Sequence, residues 1–267
     1  IAAISNIAVQ TQAVSCNVTT PTIVASSNTP TVLGYNTTSS ATLASVLENT
    51  SISISSNSIY YAITMKDAVK FTANWDANSA TLSTTNQSSC NIAATYNGAA
   101  QATSCTVTAP TITAPSNTPT TLGYNTTKNA NSNNSSYNTS SKLLTLNSSN
   151  TGKTWYAQTK KDAVSYTIGS YNKGSNVSSI GAKTDTNSKC TINATYNGVA
   201  QAKSCTVTAP EVTANTGYTS VGWNLTKGAT TGSSVITLNS SNTGKTWYAN
   251  ATANSYTINY YDGTTLK

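Results

Sequence analysis

Cys190-Thr-Ile-Asn-Ala-Thr-Tyr-Asn-Gly-Val-Ala-Gln-Ala-Lys-Ser-Cys205 reads as a hairpin stapled at its own ends. Asn197-Gly198 lies at its centre. Asn-Gly is the strongest short-range signal for a two-residue type I′ turn, because both residues tolerate positive φ. Folded about that turn, residues whose numbers sum to 395 face one another, and Cys190 and Cys205 are such a pair. The same arithmetic places Cys90 opposite Cys105 around Asn97-Gly98. Turn, register and cross-link agree twice. The spacing therefore predicts disulfides Cys90–Cys105 and Cys190–Cys205, each closing a ladder at a position where Cα atoms lie about 5.5 Å apart. Closing a loop of this size stabilises a small domain by about 3 kcal/mol on the chain-entropy estimate.

The hairpin marks a repeat. Ser-Cys-x-Val-Thr-x-Pro occurs at 15–21, 104–110 and 204–210, and Gly-aromatic-Asn follows at 34–36, 123–125 and 222–224. Leu146-Asn-Ser-Ser-Asn-Thr-Gly-Lys-Thr-Trp-Tyr-Ala157 recurs unchanged from Leu238 to Ala249, and a degenerate copy runs from Ile54 to Ala62. The period is domain-sized, well above the 20–45 residues typical of solenoid repeats. A further alternating strand precedes each complete hairpin, at 69–75 and 164–171, and appears once more at 256–261. This frame divides the chain into repeat 1 (1–65, lacking its first strand), repeat 2 (66–160), repeat 3 (161–251) and a last segment, 252–267. That segment is expected to be either the first strand of a next repeat or a donor strand, with Tyr256, Ile258 and Tyr260 on one face. Cys16 stands where a second hairpin cysteine belongs, and the position of its leading partner falls at Ile1. It is expected to be free, paired upstream or available for an intermolecular bond.

Composition narrows the function. Only 8% of residues are charged, while Ser, Thr and Asn make up roughly 45%; typical domains carry about 25% charged residues. The net charge of +7 comes from lysines alone. Without arginine there is no bidentate fork for phosphate or guanine, so nucleic acid is not an expected partner. No apolar run approaches the ~20 residues of a membrane span. The absence of histidine removes Ser-His-Asp and Cys-His nucleophile systems, and no Cys-x-x-Cys spacing suggests a metal. The reading is a non-enzyme with no cofactor. Cysteines in matched positions point to an oxidising, extracellular compartment. Lys-Asp-Ala-Val recurs at 66–69 and 161–164; its aspartates, Asp67 and Asp162, read as turn or linker residues. The Asn/Ser-rich stretch 128–141 reads as an exposed loop tip.

Gly217-Tyr-Thr-Ser-Val-Gly-Trp-Asn224, with Thr246-Trp-Tyr-Ala249, resembles the Listeria–Bacteroides type repeat, the internalin B-repeat family. The resemblance implies small β-grasp domains used in tandem on bacterial surface proteins. This chain departs from that pattern in its stapled hairpin, its longer period and Ser220 in place of a phenylalanine. The expected fold is mainly β, with small tandem β-grasp-like or sandwich-like repeat domains in a rod and little or no helix. The expected function is that of a structural subunit or stalk of an extracellular surface filament or adhesin. It would self-associate head to tail through the C-terminal strand, or adjoin further repeats of a longer chain. The alternative is an adhesive module that grips glycan or host protein through outward aromatics and the 128–141 loop.

Overall fold

The computed structural model describes residues 14–266. The protein is mainly β, with 45% of residues in strands. Among the described residues its helix is a single turn, Asp185–Ser188, capped by Thr184. The position of the leading cysteine of repeat 1 lies outside the described residues.

Each complete repeat begins with a strand that breaks in two. In repeat 2, Val69–Thr72 pairs antiparallel with Ser89–Ile92, and Asn74–Asp76 pairs parallel with the start of Thr154–Lys161. In repeat 3, Val164–Thr167 pairs with Lys189–Ile192, and Ser170–Lys173 runs parallel to Thr246–Ala253. The residue at the break is apolar and buried, Ala73 or Ile168. Alternation along the sequence is thus read by two different sheets. The first strand closes its domain by lying beside the last, about 80 residues on.

The hairpins differ from the expected ladders. Asn97 and Asn197 have φ of 55° and 53°, Gly98 and Gly198 have 83° and 82°, and both turns are closed by Ala99 or Val199 N–H donating to a tyrosine carbonyl. Beyond the turn the arms part. Ser89–Ile92 goes to the first strand, whereas Ser104–Thr108 pairs with Leu143–Asn147. Repeat 3 does the same with Lys189–Ile192 and Ser204–Thr208. Each disulfide joins two sheets, with Cα separations of 6.1 Å for Cys90–Cys105 and 6.0 Å for Cys190–Cys205. A glutamine braces each gap. Gln101 Nε2 donates to the carbonyls of Asp67 and Ala93, and Gln201 Nε2 to those of Asp162 and Asn193. The repeated aspartates therefore act here through their backbone, although Asp162 also forms an exposed 2.8 Å ion pair with Lys160.

Gly-aromatic-Asn has one geometry in all three repeats. The ladder shifts register at Gly34, Gly123 and Gly222, whose φ values are 130°, 123° and 90°. This bulge needs glycine, since a Cβ on Gly123 would lie 2.8 Å from the Tyr137 ring. The aromatic then turns into the core and donates to a proline carbonyl: Tyr35 to Pro21, Tyr124 to Pro110, Trp223 to Pro210. The asparagine bridges the following loop, as Asn125 does by accepting from Thr127 N–H and donating to the Ser132 carbonyl.

Two cores result. One contains Phe71, Val107, Tyr124, Leu144, Leu146 and Trp155; the other contains Ile168, Val207, Trp223, Ile236 and Leu238. The 128–141 loop is not simply an exposed tip. Tyr137–Asn138 forms a short strand on Leu143–Asn147, and Tyr137 is buried edge-on to Tyr124 at 5.2 Å. A large aromatic outweighs the polar composition around it, because burying it removes more apolar surface than the flanking Asn and Ser require to be exposed.

Candidate functional site: joints between repeats and an open strand slot

The Asn-Gly turn of each complete hairpin is inserted into the preceding repeat. At the second joint, Asn197 N–H donates to the Thr159 carbonyl at 2.9 Å, and Asn197 Oδ1 accepts from Thr159 N–H at 3.0 Å. The Asn197 amide donates to the Ala130 carbonyl and to Gln158 Oε1. Gly198 N–H donates to Thr118 Oγ1, which shares a hydrogen bond with Thr159 Oγ1, and Asn117 Nδ2 donates to the Gly198 carbonyl. The first joint repeats the backbone and threonine contacts with Asn97-Gly98 against Asn28, Thr29 and Thr64, while the Asn97 amide donates to the carbonyls of Ser39 and Ala41. The socket threonines are buried, and Thr29, Thr118 and Thr159 are 0% exposed. The strands Tyr61–Lys66 and Thr154–Lys161 run through both joints, ending against Thr95–Tyr96 and Thr195–Tyr196 of the next repeat. Sequence reading did not identify these socket residues. Their signal is Ser-Asn-Thr-Pro-Thr, present at 27–31 and 116–120.

The slot for the first strand is equally specific. In repeat 2, Phe71 and Ala73 enter the core, Thr72 N–H donates to Thr151 Oγ1, and Gly152 N–H donates to the Thr72 carbonyl. In repeat 3, Thr243 and Gly244 hold Thr167 in the same way. The unchanged Asn-Ser-Ser-Asn-Thr-Gly segment is therefore the clamp on the first strand, shaped by asparagine side chains that bond its own backbone.

Repeat 1 has the slot without an occupant among the described residues. Cys16–Thr19 pairs with Ser51–Ile54, with Cys16 opposite Ile54 as Cys105 is opposite Leu146. Yet Val18 is 43% exposed, whereas its counterparts Val107 and Val207 are 0% and 4% exposed. Ile59 and Tyr61, on the edge where Asn74–Asp76 lies in repeat 2, are 68% and 38% exposed. A groove of about 300 Å³ opens beside Cys16, Ile54 and Asn57. The connection from Ile54 to Tyr60 is three residues shorter than that from Leu146 to Trp155 and lacks the Thr-Gly clamp. Cys16 itself is exposed and forms no disulfide.

The C-terminal segment carries the complementary feature. Of the expected strand over 256–261, residues 256–260 are in no strand and pair with none of the described residues; Tyr261–Asp262 pairs with Thr265–Leu266 in a small hairpin. A lone strand has no neighbour to take its backbone hydrogen bonds, so alternation alone does not make it a strand. Tyr256, Ile258 and Tyr260 are 77%, 71% and 67% exposed.

Other chemistry is sparse. Among the described residues no cluster of His, Cys, Asp and Glu could hold a metal, and no helix is long and apolar enough to cross a membrane. The shifted tyrosines report burial: desolvation pushes the Tyr171 hydroxyl up to about 12 and raises that of Tyr124 further. No protein-family model, curated protein or solved structure matches the chain.

Proposed function

We propose that this chain is a structural subunit of an extracellular filament, in which 256–261 of one copy serves as the first strand of repeat 1 in the next. One observation carries the reading. Phe71 and Tyr166 of the first strands pack on the cores of repeats 2 and 3, no described residue takes that part in repeat 1, where Val18 and Ile59 are exposed, and Tyr256-Thr-Ile258, exposed at the other end, repeats Tyr166-Thr-Ile168 letter for letter. Strand addition to an exposed edge supplies main-chain hydrogen bonds for affinity and pockets for alternate side chains. Contacts between unlike ends of one molecule are heterologous, and such contacts propagate into filaments when they do not close. The missing Thr-Gly clamp leaves the parallel edge at Ile59–Tyr61 and the core pockets to hold the donor. Disulfides suit an oxidising compartment, which supports the extracellular placement. For the alternative adhesive reading, Tyr137, the one aromatic of the 128–141 loop, is 7% exposed, which leaves that loop its polar residues for contact.

The test is deletion of 255–267, followed by sedimentation and negative-stain imaging. The full chain should form head-to-tail polymers and the truncated chain only monomers. Polymers that survive the deletion would sink strand donation. The double variant Tyr256→Ser/Ile258→Ser should behave like the truncation while preserving length.

A further inference from the structure

Both internal joints have two parts, a strand handed forward and a hairpin tip taken back. The chain that leaves Thr154–Lys161 becomes the first strand of repeat 3, and the Asn197-Gly198 tip of repeat 3 returns to the outer side of that same strand. Repeat 3 has the corresponding outer edge at Ala251–Ala253. Its strand Thr246–Ala253 is covered on that side by Ser170–Lys173 and Gly174 only as far as Ala249. Ala251 occupies the place of Thr64 and Thr159, both of whose N–H and carbonyl groups bond a turn asparagine. Among the described residues no turn asparagine bonds Ala251 in this way. The hydroxyls are also gone: Gly217 stands for Thr29 and Thr118, and Ala251 for Thr64 and Thr159. The other end changes in parallel. Asn97 and Gly98 precede Cys105 by eight and seven residues, and the residues at those distances before Cys16 are Ala8 and Val9, outside the described residues.

We infer that the open edge Ala251–Ala253 is a second contact between copies, taking the N-terminal repeat of the next molecule by main-chain pairing without the hydroxyl–amide network of the internal joints. This rests on the head-to-tail reading above. The contact follows the geometry of the two internal joints, since a donated strand brings its acceptor domain alongside the strand it leaves. The joint between copies then has fewer directional bonds than the joints within a copy, and is the first to part.

Hydrogen exchange at residue resolution on the full-length protein, monomeric against assembled, separates the two claims. Protection of Thr257–Tyr261 amides on assembly reports strand donation. Slowing of the Ala251 and Ala253 amides by about tenfold or more reports the edge. Assembled protein with protected donor amides and unchanged exchange at Ala251 and Ala253 overturns the edge contact while leaving donation standing. No change at either place overturns both. A second readout is dissociation by urea, in which copies should separate well before Asn97 and Asn197 lose protection; simultaneous loss would show the joints to be equal and contradict the inference.

Discussion

Asn197 of repeat 3 pairs with Thr159 of repeat 2 as a strand residue would, its N–H donating at 2.9 Å and its side-chain Oδ1 replacing a backbone carbonyl at 3.0 Å. A hairpin tip thereby becomes the last rung of a neighbour's sheet. Asn197 is 8% exposed and all of its side-chain groups are engaged. Alanine there orphans Thr159 N–H, the Ala130 carbonyl and Gln158 Oε1, where each buried orphan costs about 1–3 kcal/mol. Asn197→Ala should weaken the second joint by about 3 kcal/mol, and Asn97→Ala, at an exposed turn, by about 1 kcal/mol. Calorimetry should show repeats 2 and 3 uncoupling in the first variant; equal effects of the two would contradict the role of burial.

Because no backbone ladder joins the arms of each hairpin, the disulfide is their principal tie. Cys190→Ser/Cys205→Ser should cost repeat 3 about 3 kcal/mol, the value for a loop of this length. Hydrogen exchange should quicken in both Lys189–Ile192 and Ser204–Thr208. Reductant should shift the unfolding of repeats 2 and 3 and leave that of repeat 1 in place.

Tyr137→Ala should destabilise repeat 2 by about 3–5 kcal/mol, as for other buried aromatics cut to alanine. Asn131→Ala, on the exposed part of the same loop, should stay within about 0.5 kcal/mol. Chemical denaturation of both decides whether the loop is part of the core.

Alkaline pH should unfold repeat 3 through Tyr171. Its hydroxyl donates to the Asn187 carbonyl, and burial pushes its pKa up to about 12, against about 10 in an unfolded chain. Below pH ~10 both states hold the proton and the stabilisation is complete; between about 10 and 12 only the unfolded state releases it, so stability falls as pH rises. Urea midpoints at pH 9 and 11 should differ less in Tyr171→Phe than in the parent protein. Tyr124, also shifted upward, preserves part of the slope.

Much of this molecule is legible in its residues. The Asn-Gly turns, the partners Cys90–Cys105 and Cys190–Cys205, and the threefold Gly-aromatic-Asn series rest on chemistry spanning a few positions. The joint sockets were harder to see. Thr118 and Thr159 stand 41 residues apart and meet only through the fold, and buried hydroxyls have no hydropathy signature. The 128–141 loop misleads for the converse reason, one buried ring among many polar neighbours.

The sequence by itself determined the repeat period, the cross-links, the turn type and the β character, since each is set by local backbone preference or by spacing along the chain. Only the tertiary structure decided partners: that hairpin arms part to different sheets, that Asn74–Asp76 lies parallel to a strand 80 residues away, and that a turn docks in the repeat before it. A strand carries hydrogen-bonding groups on both edges but no address for them. Which edge it joins depends on which edges the rest of the fold has left open.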